Sequence, residues 1–285
     1  MKKLMLTTVM VSIVSSSFAV NLYSNQSSDV NVAALNFRTT TRSGVTSGAG
    51  AMWSEVQANG AGVQTESNTN AGSTVGGAAG NLFRIADDFT VGGLGWDVTG
   101  IAVFAYQTGS TANPFTGGSM NVWSGRPGDA NSSILFTANW MNSVNQLQLD
   151  ANTVGLGHRI FNTDSPAPGS APGLTRVIWQ NNFSLTQTLA AGTYWIDYAL
   201  VTATGTTFAP TTTHQDVRGV LGANARQFNG TTWGDIIDTG NPIAAVDVAQ
   251  DMPFIISGTE VVPEPATMSV LALAALAATA RRKRN

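Results

Sequence analysis

The middle of the chain, residues 20–262, predicts an all-β fold, a single antiparallel β-sandwich or barrel. Three observations lead there. Short apolar or alternating runs are separated by Gly, Asn, Pro or Asp every 8 to 15 residues, the spacing of strands and turns rather than of helices. No run shows the 3.6-residue apolar period of an amphipathic helix. Asn229-Gly230, between Arg226-Gln227-Phe228 and Thr231-Thr232-Trp233, is a type I′ hairpin signal.

The expected strands, in order, are residues 30–37, 51–57, 82–85, 89–91, 98–107, 120–124, 133–137, 158–162, 176–183, 193–201, 217–228, 232–237 and 253–257. The most regular is 193–201, where Tyr194, Ile196 and Tyr198 alternate with Trp195, Asp197 and Ala199, so the two sets belong to opposite faces. Residues 39–80 are dominated by glycine and small polar residues, with Met52-Trp53 as the main apolar interruption. They predict long loops and one short strand near Met52. The expected organisation is a signal peptide over 1–19, an N-terminal strand and loops packing on the body over 20–80, and the sandwich over 81–258. A linker over 259–267, a short apolar membrane helix over 268–280 and a basic tail over 281–285 follow.

The 285 residues include no cysteine, two histidines and only 11% charged residues, against about 25% in an average soluble protein. A disulfide framework, a cysteine nucleophile and a thiolate metal site are excluded. Residues 20–262 carry eight arginines, no lysine and 16 acids, a net charge of −8. Such a body repels phosphate backbones, which argues against nucleic-acid binding.

The two ends differ from the body. Lys2 and Lys3 precede an apolar stretch over residues 4–14, and Ser17 and Ala19 supply small residues before Val20. This is the order of a secretory signal with cleavage between Ala19 and Val20, and it implies the translocon and signal peptidase as partners. At the other end, Val262-Pro263-Glu264-Pro265-Ala266-Thr267 is followed by an Ala/Leu-rich segment over 268–280 and then by Arg281-Arg282-Lys283-Arg284. The prolines disfavour helix upstream, and the 13 apolar residues reach only about 20 Å as a helix. That is short of the roughly 30 Å hydrocarbon core, so the segment suits a transient membrane stay. Both basic ends stay cytoplasmic by the positive-inside rule.

This C-terminal arrangement resembles the PEP-CTERM sorting signal of exported Gram-negative proteins. The resemblance implies an exosortase, a membrane protease or transpeptidase, as partner. It implies recognition through Pro263, Glu264 and Pro265 and a stop at Arg281, Arg282, Lys283 and Arg284. It further implies a final location at the cell surface, outer envelope or extracellular matrix. A weaker resemblance covers residues 80–257, through Asp87-Asp88-Phe89-Thr90-Val91, residues 96–106 (WDVTGIAVFAY), residues 121–127 (NVWSGRP), Arg159-Ile160-Phe161, Arg176-Val177-Ile178-Trp179, Gly192-Thr193-Tyr194-Trp195 and Trp233. This pattern is similar to uncharacterised secreted PEP-CTERM proteins and implies a β-sandwich of jelly-roll type, without an activity.

Candidate chemistry within the body is sparse. Asp87-Asp88 opens an expected strand, and with backbone carbonyls it could hold calcium or simply form a turn and pair with arginine. No other cofactor is implied. Seven tryptophans suggest either core packing or stacking on the sugars of an exopolysaccharide. Trp123 and Trp233, nearest the expected loops, suit the second role best. No G-x-S-x-G elbow or H-E-x-x-H helix is present, and no acid pair of a glycosidase can be singled out. The expected function is therefore a non-catalytic, exported surface or matrix protein. A carbohydrate-binding module and, behind it, a secreted glycoside hydrolase are the alternatives.

Overall fold

The computed structural model describes residues 19–48, 50–57, 68–144, 147–148, 154–161, 163, 172–214, 217–240 and 246–262. Of the expected signal peptide only Ala19 is described, exposed and immediately ahead of β1; residues 1–18 and the expected C-terminal apolar helix lie outside the described residues. Every regular element among the described residues is a strand. In chain order they are β1 (Val20–Ser24), β2 (Phe37–Arg38), β3 (Ala51–Glu55), β4 (Ser73–Gly77), β5 (Arg84–Val91) and β6 (Trp96–Ala105). Next come β7 (Phe115–Trp123), β8 (Ile134–Val144), β9 (Leu147–Gln148), β10 (Val154–Ile160), β11 (Trp179–Leu189) and β12 (Gly192–Thr202). The last are β13 (Thr206–Ala209), β14 (Arg226–Phe228), β15 (Trp233–Asp235), β16 (Ile237–Asp238), β17 (Val248–Ala249) and β18 (Phe254–Glu260).

The main sheet has 12 strands in the order β1-β18-β6-β11-β8-β7-β12-β5-β14-β15, with β4 paired to β12 and β13 to β4. Its pairing is antiparallel except for the short β4–β12 contact. The sheet is curled. Laid flat, the six steps from β18 to β5 would separate them by about 29 Å at roughly 4.8 Å per step. Instead Phe89 of β5 and Phe254 of β18 have ring centroids 6.3 Å apart. The curl is tied at one place by the backbone. Tyr106, just past β6, and Phe208 of β13 exchange both of their N–H···O bonds at 2.9 Å. The ring β6-β11-β8-β7-β12-β4-β13 thereby returns to its start. The space inside is filled by Ile85, Phe89, Val103, Met120, Ile196, Tyr198 and Phe254 among others.

A second layer lies against the outside of β6. Leu35, Phe37 and Met52 pack with Ala102, Phe104, Tyr106, Ile178 and Ile255. The alternation along β6 shows the effect: its first half switches between buried and exposed, while residues 101–105 are buried throughout, as expected of a strand covered on both faces. The layer carries a four-stranded sheet, β2-β3-β10-β9, with β3 and β10 parallel. Arg159 of β10 fixes it. This side chain is fully buried, and its Nε donates to Ala71 O at 2.8 Å, its Nη1 to Ser54 Oγ at 2.9 Å and its Nη2 to Thr211 Oγ1 at 3.2 Å. Burial pulls its pKa down to about 10.

Several expected strands change extent. Residues 217–228 form a strand only over β14, because Gly219 and Gly222 adopt φ of +73° and +86°, which breaks an extended run. Residues 30–37 turn instead of extending, with Asn36 at φ +45°. The Asn229-Gly230 hairpin is present, but its central pair is Gly230-Thr231. Asn229 N donates to Thr232 O at 3.1 Å, and the Asn229 side chain accepts from Thr231 N and Thr232 N. Asn229 is thus the cap of the turn rather than its first corner.

Candidate functional site

Asp197 is the most heavily hydrogen-bonded side chain on the outer face of the main sheet. It sits mid-way along β12, opposite Asn121 of β7 on one side and Ala86 of β5 on the other. Its neighbours Ile196 and Tyr198 point into the core, so Asp197 shares the outer face with Trp195 and Ala199. Trp123 Nε1 donates to Asp197 Oδ2 at 2.6 Å. Asn121 Nδ2 reaches both carboxylate oxygens at 3.1 and 3.2 Å. Arg84 donates from Nε at 2.8 Å and also from Nη2. The same guanidinium donates to Ser119 Oγ at 2.7 Å, and Thr137 Oγ1 extends the network to Asn121 Oδ1 at 3.1 Å. Asp197 is 1% exposed, yet every lone pair faces a donor, which is how a buried carboxylate persists.

The loop between β7 and β8 folds over the neighbouring strands. Arg126 lies over the Trp195 ring, 5.8 Å from its centroid, and donates to Asp235 Oδ1 at 2.6 Å. Arg226 donates to Pro127 O at 2.6 Å and to Trp233 O at 3.1 Å. Three of the eight arginines of the body, Arg84, Arg126 and Arg226, are thus spent on holding this face together.

The expected ligand-binding tryptophans separate here. Trp123 spends its indole N–H on Asp197. Trp233 packs on Phe228, ring centroids 5.4 Å apart, on β15 at the end of the strand path. Both are half-buried, but four strand steps divide β7 from β15, so they make no common stacking platform. Trp53, Trp96, Trp179 and Trp195 are buried.

Asp87 and Asp88 also part company, because successive strand residues point to opposite faces. Asp87 enters the interior. Its Oδ2 accepts from Asn25 Nδ2 at 2.8 Å and from Met252 N at 2.7 Å, and its Oδ1 accepts from Asp88 N at 2.9 Å. It joins β5 to the chain segments flanking β1 and β18 across the curl. Burial first, and Asp251 second, push its pKa well above the usual carboxylate range. Asp88 lies half-buried on the outer face, opposite Trp195, and burial raises its pKa as well. The pair does not converge on one ion as a calcium site requires. Among the described residues, no three His, Cys, Asp or Glu side chains are arranged to hold a metal ion.

Sequence reasoning grouped Asp197 with Trp195 and Ala199 on one face of the strand but did not single it out. Its partners Asn121, Trp123 and Arg84 come from strands 74 to 113 residues away, and only strand pairing brings them together.

The sorting elements begin where the sheet ends. β18 closes at Glu260, Val261 N donates to Gly95 O at 2.9 Å, and Val262 is 68% exposed. Pro263, Glu264, Pro265, Ala266, Thr267 and the basic cluster Arg281, Arg282, Lys283 and Arg284 lie outside the described residues. No helix among the described residues is long and apolar enough to cross a membrane. No curated protein and no solved structure matches the chain. Residues 261–284 match the PEP-CTERM protein-sorting motif, which marks the chain as an exported protein processed by an exosortase.

Proposed function

We propose that this chain is a non-catalytic protein of the cell surface or extracellular matrix, released to that location by cleavage at its C-terminal sorting motif. The motif at residues 261–284 carries the reading. The body adds an acidic, lysine-free surface over residues 20–262 and an outer face whose arginines are engaged in internal pairs. We take the curled sheet as a jelly-roll type of sandwich, a scaffold whose loops differ freely while its core is kept. Secretion through a signal peptide ending at Ala19 belongs to the same reading.

Glu264 is the residue to test. Prolines on either side limit its backbone freedom, so little ordering entropy opposes docking, and a single carboxylate suits an arginine fork on the enzyme. Glu264→Ala leaves the apolar segment and the export signal untouched. Pulse-labelling in the native host is expected to show a full-length, membrane-retained protein. Maturation at the normal rate would show that this carboxylate is not read.

The carbohydrate-binding reading draws on another place, a groove over Gly100 and Ala102 of β6. It is lined by Asn21, Asn142, Gln180 and Asn182 and contains no charged side chain. Neutral amides can both donate to and accept from sugar hydroxyls. A glycan array probed with the whole body, with and without calcium, separates the two readings.

A further inference from the structure

The register of β1 places the two processed ends of the body side by side. Val20, the first residue after the expected signal cleavage, pairs with Gly258, so their Cα atoms lie about 5 Å apart. Two residues further, β18 ends, and Val261 is pinned to Gly95 O at 2.9 Å. The expected signal peptide and the sorting segment therefore leave the sheet from one end. Leu94, one residue from that pin, is 61% exposed, Val20 56% and Val262 68%. Ile134 and Leu135, at the start of β8, are 50% and 41% exposed and lie at the same end, since Ile134 pairs with Trp123 and Trp123 with Trp195 near the start of β12. The exposed acids there are Glu260, Asp97 and, in the loop between β7 and β8, Asp129; the cation of that loop, Arg126, is paired with Asp235, so acids outnumber free cations and anionic lipid gains little from this end.

The leash is short. Residues 262–268 span at most about 25 Å even when fully extended, less than the roughly 34 Å length of the ten-residue strand β6. A body tied that closely cannot turn its opposite end to the bilayer.

We propose that this end, with Leu94, Val20, Val262, Ile134 and Leu135 as its apolar rim, is a lipid-facing surface that rests on the membrane until the sorting cut is made. The proposal builds on the sorting reading and adds an orientation and a partner, the bilayer itself. Contact is apolar and interfacial, and it ends when cleavage frees the body. The sorting enzyme then meets its motif between the bilayer and a body already seated on it, with Val262 as the one residue between the pinned Val261 and Pro263.

The absence of cysteine makes the test direct. Two full-length variants, Leu94→Cys at the proposed contact and Leu174→Cys at the opposite end, are labelled with bimane and reconstituted with vesicles of phosphatidylethanolamine and phosphatidylglycerol bearing brominated acyl chains. Both positions are exposed, 61% and 49%, so neither label disturbs the core. The expected result is quenching several-fold stronger at position 94 than at 174. Co-flotation with the vesicles but equal quenching, or stronger quenching at 174, overturns the orientation and leaves the sorting reading standing. Failure of the unmodified full chain to float with the vesicles overturns the orientation together with membrane retention through the sorting segment.

Discussion

Asp87 and Asp197 lie on strands that pair directly, β5 and β12, and each is 1% exposed, yet they are held by opposite means. Asp197 faces outward and is met by a guanidinium, an indole and an amide. Asp87 faces inward and is met only by neutral N–H groups, with Asp251 and Asp88 close enough to oppose its charge. The first is a buried carboxylate paired with a cation, the second a buried carboxyl group with no counter-ion beside it. The comparison teaches that burial alone does not tell what an acid does; the face of the strand it occupies decides which partners can reach it.

The largest effect should come from Asp197. Asp197→Ala leaves the Asn121 amide N–H and the Trp123 N–H without an acceptor and Arg84 with Ser119 as its remaining partner, and breaking a buried pair from one side costs about 3 kcal/mol. Thermal unfolding should fall by roughly 6–12 °C for a domain of this size. A loss under a degree would mean that water replaces the carboxylate, and the contrast with Asp87 would vanish.

Asp87→Asn should cost less, about 1–2 kcal/mol, because the amide oxygen can still accept while one N–H donor loses its partner. Its distinctive signature is pH dependence. Burial and Asp251 raise the folded-state pKa of Asp87 well above the usual carboxylate range, so ionisation of this group lowers stability. That loss is relieved as the pH falls through the raised value toward the unfolded one. The parent protein should therefore gain stability between neutral and mildly acidic pH, and Asp87→Asn should lose most of that gain, with Asp88 supplying the remainder. Melting curves at pH 7 and 5 decide it; an unchanged slope in the variant would place the titration elsewhere.

The smallest effect concerns calcium. Both oxygens of Asp87 already accept hydrogen bonds and Asp88 points away, so millimolar calcium is expected to shift the melting temperature by less than about 1 °C. At saturation, a bound ion would add several degrees through linkage.

Much of this was readable in the chain and some was not, for identifiable reasons. The alternation in residues 193–201 gave the correct faces of β12, since a period of two survives any tertiary context. β11 ran on past residue 183 because Ser184, Thr186 and Thr188 alternate with Leu185, Gln187 and Leu189, a pattern whose apolar share is too thin to recognise locally. β4, with Gly76 and Gly77, looked like loop. Its glycines are needed where β12 passes so near that a Cβ on Gly76 would sit 2.1 Å from Leu200 O. Such close approach is set by the partner strand. The convergence on Asp197 was hidden for the same reason, whereas the sorting motif was fully legible because its residues are contiguous.

One consequence of the topology concerns timing. β18, the last strand of the body, is not at an edge: it lies between β1 and β6, pairing with residues some 150 and 235 positions earlier. Contacts of such long range form slowly and only once both partners are available. A chain threaded outward from its N-terminus cannot complete this sheet until residues 254–260 have crossed, immediately ahead of the sorting motif. Until then Phe254 and Ile256 are missing from the core, and β6 has an open side. The order of the strands thus ties completion of the sheet to the arrival of the segment that immediately precedes the sorting motif.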